Sequence, residues 1–299
     1  MQEAYHTTQA ERTGFTAAEH GPMFNPSTVR INSGVGAGAL NAEHDVRIIQ
    51  QLLNMCRVRG PNPKLAVTGK IDAATMKAIK SFQDQNFSSC YWTAGFCDGR
   101  VDPGGPTLWL LRTNAANTET PSESIDFVVP GIIQPIRQIG PTCWAAASTI
   151  LRSWKKQSRS LNVRDEIEKT GQEWLGYYDL GTGLPWNRHQ QFAEAFGMRW
   201  KPPANYTVAD LRRILTRPSP IYVSFTMSVT AAHAVAIIGM SGDGTSVGTD
   251  LILHDTAVGG TPDRLPFVMM NLWVAYSQHR HNKDKVGEAG MPNSQLLFF

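Results

Sequence analysis

The stretch Gln138-Ile139-Gly140-Pro141-Thr142-Cys143-Trp144-Ala145-Ala146-Ala147 decides how the second half of the chain is read. Gly140 and Pro141 stop an extended segment, and a helix is predicted to begin at or just before Cys143. A thiol at a helix start feels the positive end of the helix dipole and its unpaired N–H groups, and both favour thiolate. The same N–H groups, joined by the side-chain amide of Gln138, suit a developing oxyanion. Ala145, Ala146 and Ala147 are small enough for this helix to lie close against a sheet. Taken alone, a cysteine in such a place is more often an inert buried residue, because free cysteine is among the most buried residue types.

Two other residues raise the weight of that cysteine. His233 heads the strand pattern His233-Ala234-Val235-Ala236-Ile237-Ile238-Gly239-Met240, and imidazole has the unperturbed pKa for proton shuttling beside a thiol. Asp255 closes the next strand pattern, Leu251-Ile252-Leu253-His254-Asp255, after the turn Ser241-Gly242-Asp243-Gly244. In an antiparallel pair joined there, a residue near the start of one strand lies near the end of the other, so Asp255 is placed to orient the imidazole. A lone histidine on an apolar strand is ordinarily structural, and Asp255 alone reads as a turn residue. His254 is a rival base, but alternation sends it to the opposite face from Asp255. The order of the three, helix-start Cys, strand-start His and strand-end Asp, is what makes them specific.

Around this core, helices come first and strands later. A helix is expected from Cys143 to Lys156, another capped by Asn187 with Phe192 and Phe196 inside and Gly197 at its end, and a third opened by a Thr207/Asp210 capping box. Strands follow over 220–226, 232–240 and 250–254, with a further apolar stretch over 267–276. That succession indicates α+β, a helical part plus an antiparallel sheet.

The first half reads differently. Residues 1–38 have the composition of a flexible tail, ending in Ser33-Gly34-Val35-Gly36-Ala37-Gly38. Asn41 is expected to cap a helix bearing Val46, Ile49, Leu52, Leu53 and Cys56 on one face. Asp72 caps a second helix with Met76, Ile79 and Phe82 inside, and Pro106 opens a third carrying Leu108 and Leu111. Residues 39–114 thus form a small all-α three-helix domain, residues 115–126 a polar linker, and residues 127–299 the second domain. No internal repeat is apparent. Cys90 and Cys97 flank a short loop that closes as a disulfide in an oxidising compartment.

Composition narrows the function classes. The 299 residues are 41% hydrophobic and 18% charged, too apolar for wholesale disorder. No apolar run approaches the length of a membrane span. Lys and Arg number 11 against 9 Asp and Glu before residue 115, and 17 against 16 after it, so neither half is built for nucleic acid. The start, MQEAYHTTQAERTGF, lacks the basic and apolar regions of a secretory signal. No cysteine and histidine spacing reads as a metal site, and no cofactor is expected.

With these residues in view, the second domain resembles the papain-like cysteine peptidases, in the compact bacterial branch near bacteriocin-processing peptidases and the avirulence proteases of plant pathogens. The likeness rests on Gln138 and Cys143-Trp144-Ala145-Ala146, on His233-Ala234-Val235, and on the apolar run into Asp255. It implies Cys143 as nucleophile, His233 as base and acid, Asp255 as orienter and Gln138 as oxyanion donor. Gln138 lies five residues before the cysteine, where the family usually has six, and Gln134 is the alternative. The first domain resembles the three-helix peptidoglycan-binding modules. That likeness is carried by Asp45-Val46, Val67-Thr68-Gly69-Lys70-Ile71 and Asp98-Gly99-Arg100-Val101-Asp102-Pro103-Gly104-Gly105-Pro106, in the version found on type VI secretion effectors. Together these resemblances imply a bacterial toxin effector, exported without a signal peptide and acting in a recipient cell, in its cytoplasm or periplasm. The substrate expected is a protein or peptide, with peptidoglycan stem peptides or a catalytically dead wall-binding adaptor as the alternatives. A cognate immunity protein, and contact of residues 39–114 with peptidoglycan or the secretion apparatus, are further expectations; nucleic acid and membrane are not.

Overall fold

The computed structural model describes residues 25–56, 64–87, 96–117, 119, 121, 124–204, 206–226, 232–270 and 294–299. The chain divides into two compact units that part between residues 118 and 119. Among the described residues no helix is long and apolar enough to cross a membrane.

The first unit packs three helices, α1 (Glu43–Met55), α2 (Ala73–Phe87) and α3 (Pro106–Ala115). Their apolar faces meet through Val46, Ile49, Leu52, Ile79, Phe82, Leu108 and Leu111, all buried. Pro106 stands in the first turn of α3, and the Asp72 carboxylate accepts the Thr75 N–H at 2.7 Å to cap α2. Two expectations need correction. The glycine-rich residues 33–38 are not tail: β1 (Val35–Gly36) pairs with β2 (Arg100–Val101), and Val35 is fully buried against the helices. The buried Asp45 carboxylate accepts the backbone N–H groups of Asn32 and Ser33, tying this segment to α1. Asn41 is not the cap of α1, whose N-cap is Ala42; it holds the preceding loop through Gly36 N–H and the Ala39 carbonyl. Residues 1–24 lie outside the described residues, as does Cys90; Cys97 carries a free thiol.

The structure also reveals a repeat within this unit. Gln50 on α1 and Gln83 on α2 are both completely buried. Each side-chain oxygen accepts the N–H of a glycine, Gly69 at 2.9 Å and Gly99 at 2.7 Å. Each amide nitrogen donates to the carbonyl of the next residue, Lys70 or Arg100, and to the hydroxyl opening the next helix, Thr75 or Thr107. Both glycines hold φ near +75°, a conformation that a side chain resists. The repeated unit is therefore a helix glutamine clasping a Gly-x-(Ile/Val)-Asp turn, Gly69-Lys70-Ile71-Asp72 and Gly99-Arg100-Val101-Asp102. Two short, degenerate copies separated by unequal loops leave little periodicity in the sequence.

The second unit sets helices against one antiparallel sheet, the α+β arrangement expected. Its elements are β3 (Ile125–Val128), α4 (Cys143–Lys156), α5 (Val163–Glu168), α6 (Gln172–Asp179), α7 (His189–Phe196), β4 (Arg199–Lys201), α8 (Val208–Leu215), β5 (Ile221–Thr226), β6 (Ala232–Gly242), β7 (Thr249–Asp255), β8 (Asp263–Pro266) and β9 (Gln295–Phe298). The order across the sheet is β4-β9-β5-β6-β7-β8, with β3 pairing β6 beyond the end of β5. Gly239 on β6 allows β3 this close, since a Cβ there would lie 2.4 Å from the Phe127 carbonyl oxygen. The Thr207/Asp210 capping box is present on α8. Helix α7 is capped by Arg188 after a 3-10 turn that contains Asn187, and Gly197 ends it in the left-handed region. Phe267–Met270 are buried, and residues from Asn271 to 293 lie outside the described residues.

Helix α4 is the spine of this unit. Ala145, Ala146 and Ala147 are buried, in one cluster with Ala234, Ala236 and Tyr222. Trp144 joins the same cluster, edge-on to Phe192 with centroids 5.1 Å apart, and its Nε1 donates to the Thr182 carbonyl. We expect Gln50→Ala to lower the unfolding free energy by about 2–4 kcal/mol, because it strands the buried Gly69 N–H and the Thr75 hydroxyl. Urea unfolding of the full chain reads this, and a loss under about 0.5 kcal/mol would show that the clasp is ornamental.

Candidate active site

Cys143 is the first residue of α4 and is 9% exposed. The chain enters through Gly140 and Pro141, and the N-cap, Thr142, turns its hydroxyl back to the Ile139 carbonyl instead of capping the helix. Ala145 and Ala146 both donate to the Thr142 carbonyl, while among the described residues nothing accepts the N–H of Cys143 or Trp144. The helix therefore presents open donors beside the thiol, as unsatisfied first-turn amides do.

His233 is the second residue of β6 and is buried. Its Nε2 lies 2.8 Å from Asp255 Oδ1, across the β6–β7 pair, where Val235 is the register partner of Asp255. Asp255 sits diagonally from His233 on one face, whereas His254 pairs with Ala236 on the other. The same Oδ1 accepts the Ala257 N–H at 2.9 Å, which fixes the carboxylate. Cys143 is the other hydrogen-bonding partner of the imidazole. With Nε2 committed to the carboxylate, Nδ1 is the nitrogen left for the thiol.

The charges follow from this geometry. Burial alone pushes the His233 pKa down. The Asp255 hydrogen bond, the Cys143 hydrogen bond and the charges of both outweigh it, and raise the value to about 9. An imidazole so placed keeps its proton at neutral pH, ready to give to a leaving group.

Gln138 stands beside the same strand end. Its backbone N–H donates to the Thr256 carbonyl at 2.7 Å, its side-chain oxygen accepts the Thr256 hydroxyl, and its amide nitrogen donates to the Gly140 carbonyl at 2.8 Å. One of the two amide N–H donors is thus spent on the local turn. Gln134 is elsewhere: it bonds the Ser153 hydroxyl and both backbone polar groups of Leu161. Ser153 is ten residues along α4 from Cys143, about 15 Å at 1.5 Å per residue, so the Gln134 alternative falls.

Two buried residues that no motif marks pair with each other in this unit. The buried Tyr222 hydroxyl and His189 Nε2 are 3.0 Å apart, and His189 Nδ1 faces the carbonyls of Pro185 and Trp186. Two carbonyls require the proton on Nδ1, so Tyr222 donates to Nε2. Burial holds His189 down at about 4, and burial followed by the charge of Cys143 holds the Tyr222 phenol well above its usual range. Both therefore stay neutral. Among the described residues no group of three or more His, Cys, Asp or Glu could hold a metal ion.

No curated protein matches the chain. Residues 123–263, a span that includes Gln138, Cys143, His233 and Asp255, match the family model of the papain-like cysteine protease AvrRpt2. With a helix-borne thiol set against an antiparallel sheet over that same span, the chain is a cysteine peptidase of papain-like fold.

Proposed function

We propose that Cys143, His233 and Asp255 form the catalytic triad of this peptidase, and that the chain is a secreted bacterial toxin effector which cleaves a protein of a recipient cell. The observation that carries the triad is the His233–Asp255 bond at 2.8 Å with Cys143 on the other side of the same ring. The thiolate attacks the amide carbonyl, forming the S–C bond, and the carbonyl electrons move to oxygen. The backbone N–H of Cys143 and the uncommitted amide N–H of Gln138 receive that oxyanion. As it collapses, the C–N bond breaks and His233 gives its proton to the leaving amine. A water then attacks the thioester, leaving its proton on His233, and the acid departs with thiolate and imidazolium restored.

The effector reading is supported by the resemblance of the first unit to peptidoglycan-binding modules of delivered toxins, and by the three buried helical faces that give it that shape. Peptidoglycan stem peptides are the competing substrate, because a wall-binding module would hold the enzyme beside them. A cognate immunity protein would protect the producer.

Cys143→Ala and His233→Ala should each lower kcat/KM by at least about 10⁴-fold, and Asp255→Ala by less, since an orienter contributes less than nucleophile or base. A purified Cys143→Ala protein with ordinary turnover would remove the mechanism. A second expectation is the alkaline limb. Because His233 is raised from the ordinary 6.5 to about 9, kcat/KM should fall as pH rises through about 9. Asp255→Asn weakens a contact that raises this value, so the limb should move to lower pH. The same sign holds for stability: the contribution is full below 6.5 and lost as pH rises through 9. A limb that stays in place in Asp255→Asn would detach the carboxylate from the imidazole. Third, expression in the cytoplasm and in the periplasm, each against Cys143→Ala, separates the substrates. Toxicity confined to the cytoplasm is expected; toxicity confined to the periplasm assigns the wall stem peptides instead.

A further inference from the structure

At the edge of the sheet in the second unit, four cationic side chains converge around a single carboxylate. Strand β4 is the edge strand, and its residues Arg199 and Lys201 project on one side. Helix α8 brings Arg213 in its last turn, and Arg217 follows just beyond its end. These four line a single cavity of about 240 Å³ together with Ile214, Ser219, Phe298 and Phe299. The one side-chain carboxylate in the lining, Asp210, is fully committed. Its Oδ2 accepts the Thr207 N–H and hydroxyl of the capping box, and its Oδ1 pairs with Arg213 at 2.6 Å. Among the described residues no carboxylate pairs with Arg199, Lys201 or Arg217.

With Arg213 paired to Asp210, the remaining three like charges around one small cavity repel one another. Solvation and salt temper it, but an anion of matching charge density relieves it directly. We propose that this cavity is a binding site, separate from the peptidase site, for a compact phosphate polyanion. Volume and charge select that class. The space admits a small, densely charged group and is too small for a length of peptide strand. The two guanidinium forks of Arg199 and Arg217, which pair with no carboxylate among the described residues, suit the paired oxygens of phosphate groups better than a single point charge would. A lone carboxylate would leave most of the charge unmet.

The test uses the full chain and tripolyphosphate as probe, with inorganic phosphate and a hexaglutamate peptide alongside, in calorimetric titrations at 50 and 150 mM salt. Saturable one-to-one tripolyphosphate binding is expected, at least tenfold tighter than inorganic phosphate and tighter than hexaglutamate. Arg199→Ala/Lys201→Ala and Arg217→Ala should each weaken it at least tenfold. Arg164→Ala, which removes an exposed arginine paired with Asp179 outside the cavity, should leave it unchanged. These lining residues are surface groups, and coincident circular dichroism melts verify that the variants fold. Vesicles of phosphatidylcholine with a phosphoinositide distinguish a headgroup from a soluble ligand. Binding to them that tripolyphosphate displaces supports the same site, and binding that it does not displace counts against it. No saturable tripolyphosphate binding, preference for hexaglutamate, or an equal loss in Arg164→Ala would overturn the proposal.

Discussion

The second unit depends on the close approach of α4 to the sheet, alanine against alanine. Ala145–Ala147 on the helix and Ala234 and Ala236 on β6 are buried in one cluster, so the helix axis can come nearer the strands than larger side chains would allow. That approach sets the reach between the first residue of α4 and the second residue of β6. A methylene or two inserted on either surface would lift the helix start away from the imidazole, even though neither alanine face carries a reactive atom. Trp144 adds a second anchor. Anchored to the Thr182 carbonyl and edge-on to Phe192, it fixes the rotation of the helix about its axis and thereby the direction of the thiol.

The electrostatics of the site are local and few. Asp255 Oδ1 serves both His233 and the Ala257 N–H, while Oδ2 is buried with no hydrogen-bond partner among the described residues. A carboxylate so poorly compensated elsewhere depends on the imidazolium for its charge balance, so the two groups are held as a unit. This explains why burial, which on its own would discharge His233, loses to its neighbours. By contrast His189, equally buried but facing only carbonyls and a hydroxyl, has no counter-charge and stays neutral. Two histidines in one unit thus take opposite charge states from their partners alone.

Much of this arrangement was legible because the chemistry and the local backbone coincide. The Gly140-Pro141 stop, the alanine run, the capping box at Thr207 and the turn between β6 and β7 are all short-range signals, and the diagonal placement of Asp255 follows from the hairpin alone. Where the reading failed, longer contacts decide. Asn41 has the residue type of a helix cap, but its side chain is claimed by Gly36 and Ala39. The segment Ser33–Gly38 looks like a tail until Val101 is found opposite Val35. Gln134 and Gln138 are the same residue type four positions apart, and only the fold shows that one faces Ser153 and the other Thr256. The twin glutamines of the first unit escaped notice because what repeats is a hydrogen-bond pattern, and the intervening loops differ in length.

The position of β9 has a consequence for how the sheet is made as the chain emerges from the ribosome. Residues 295–298 slot between β4 and β5, and β9 is the only strand that β4 pairs with among the described residues. Strands β5 to β8 can form their hairpins early, from contacts near in sequence, but β4 must wait nearly a hundred residues for its neighbour. Until then the β5 flank is an unpaired strand edge, and α4 lies against an unfinished surface. A chain assembled in this order holds Cys143 on a completed support only after residues 295–298 have been synthesised. Translation itself then delays the appearance of proteolytic activity in the cell that makes it.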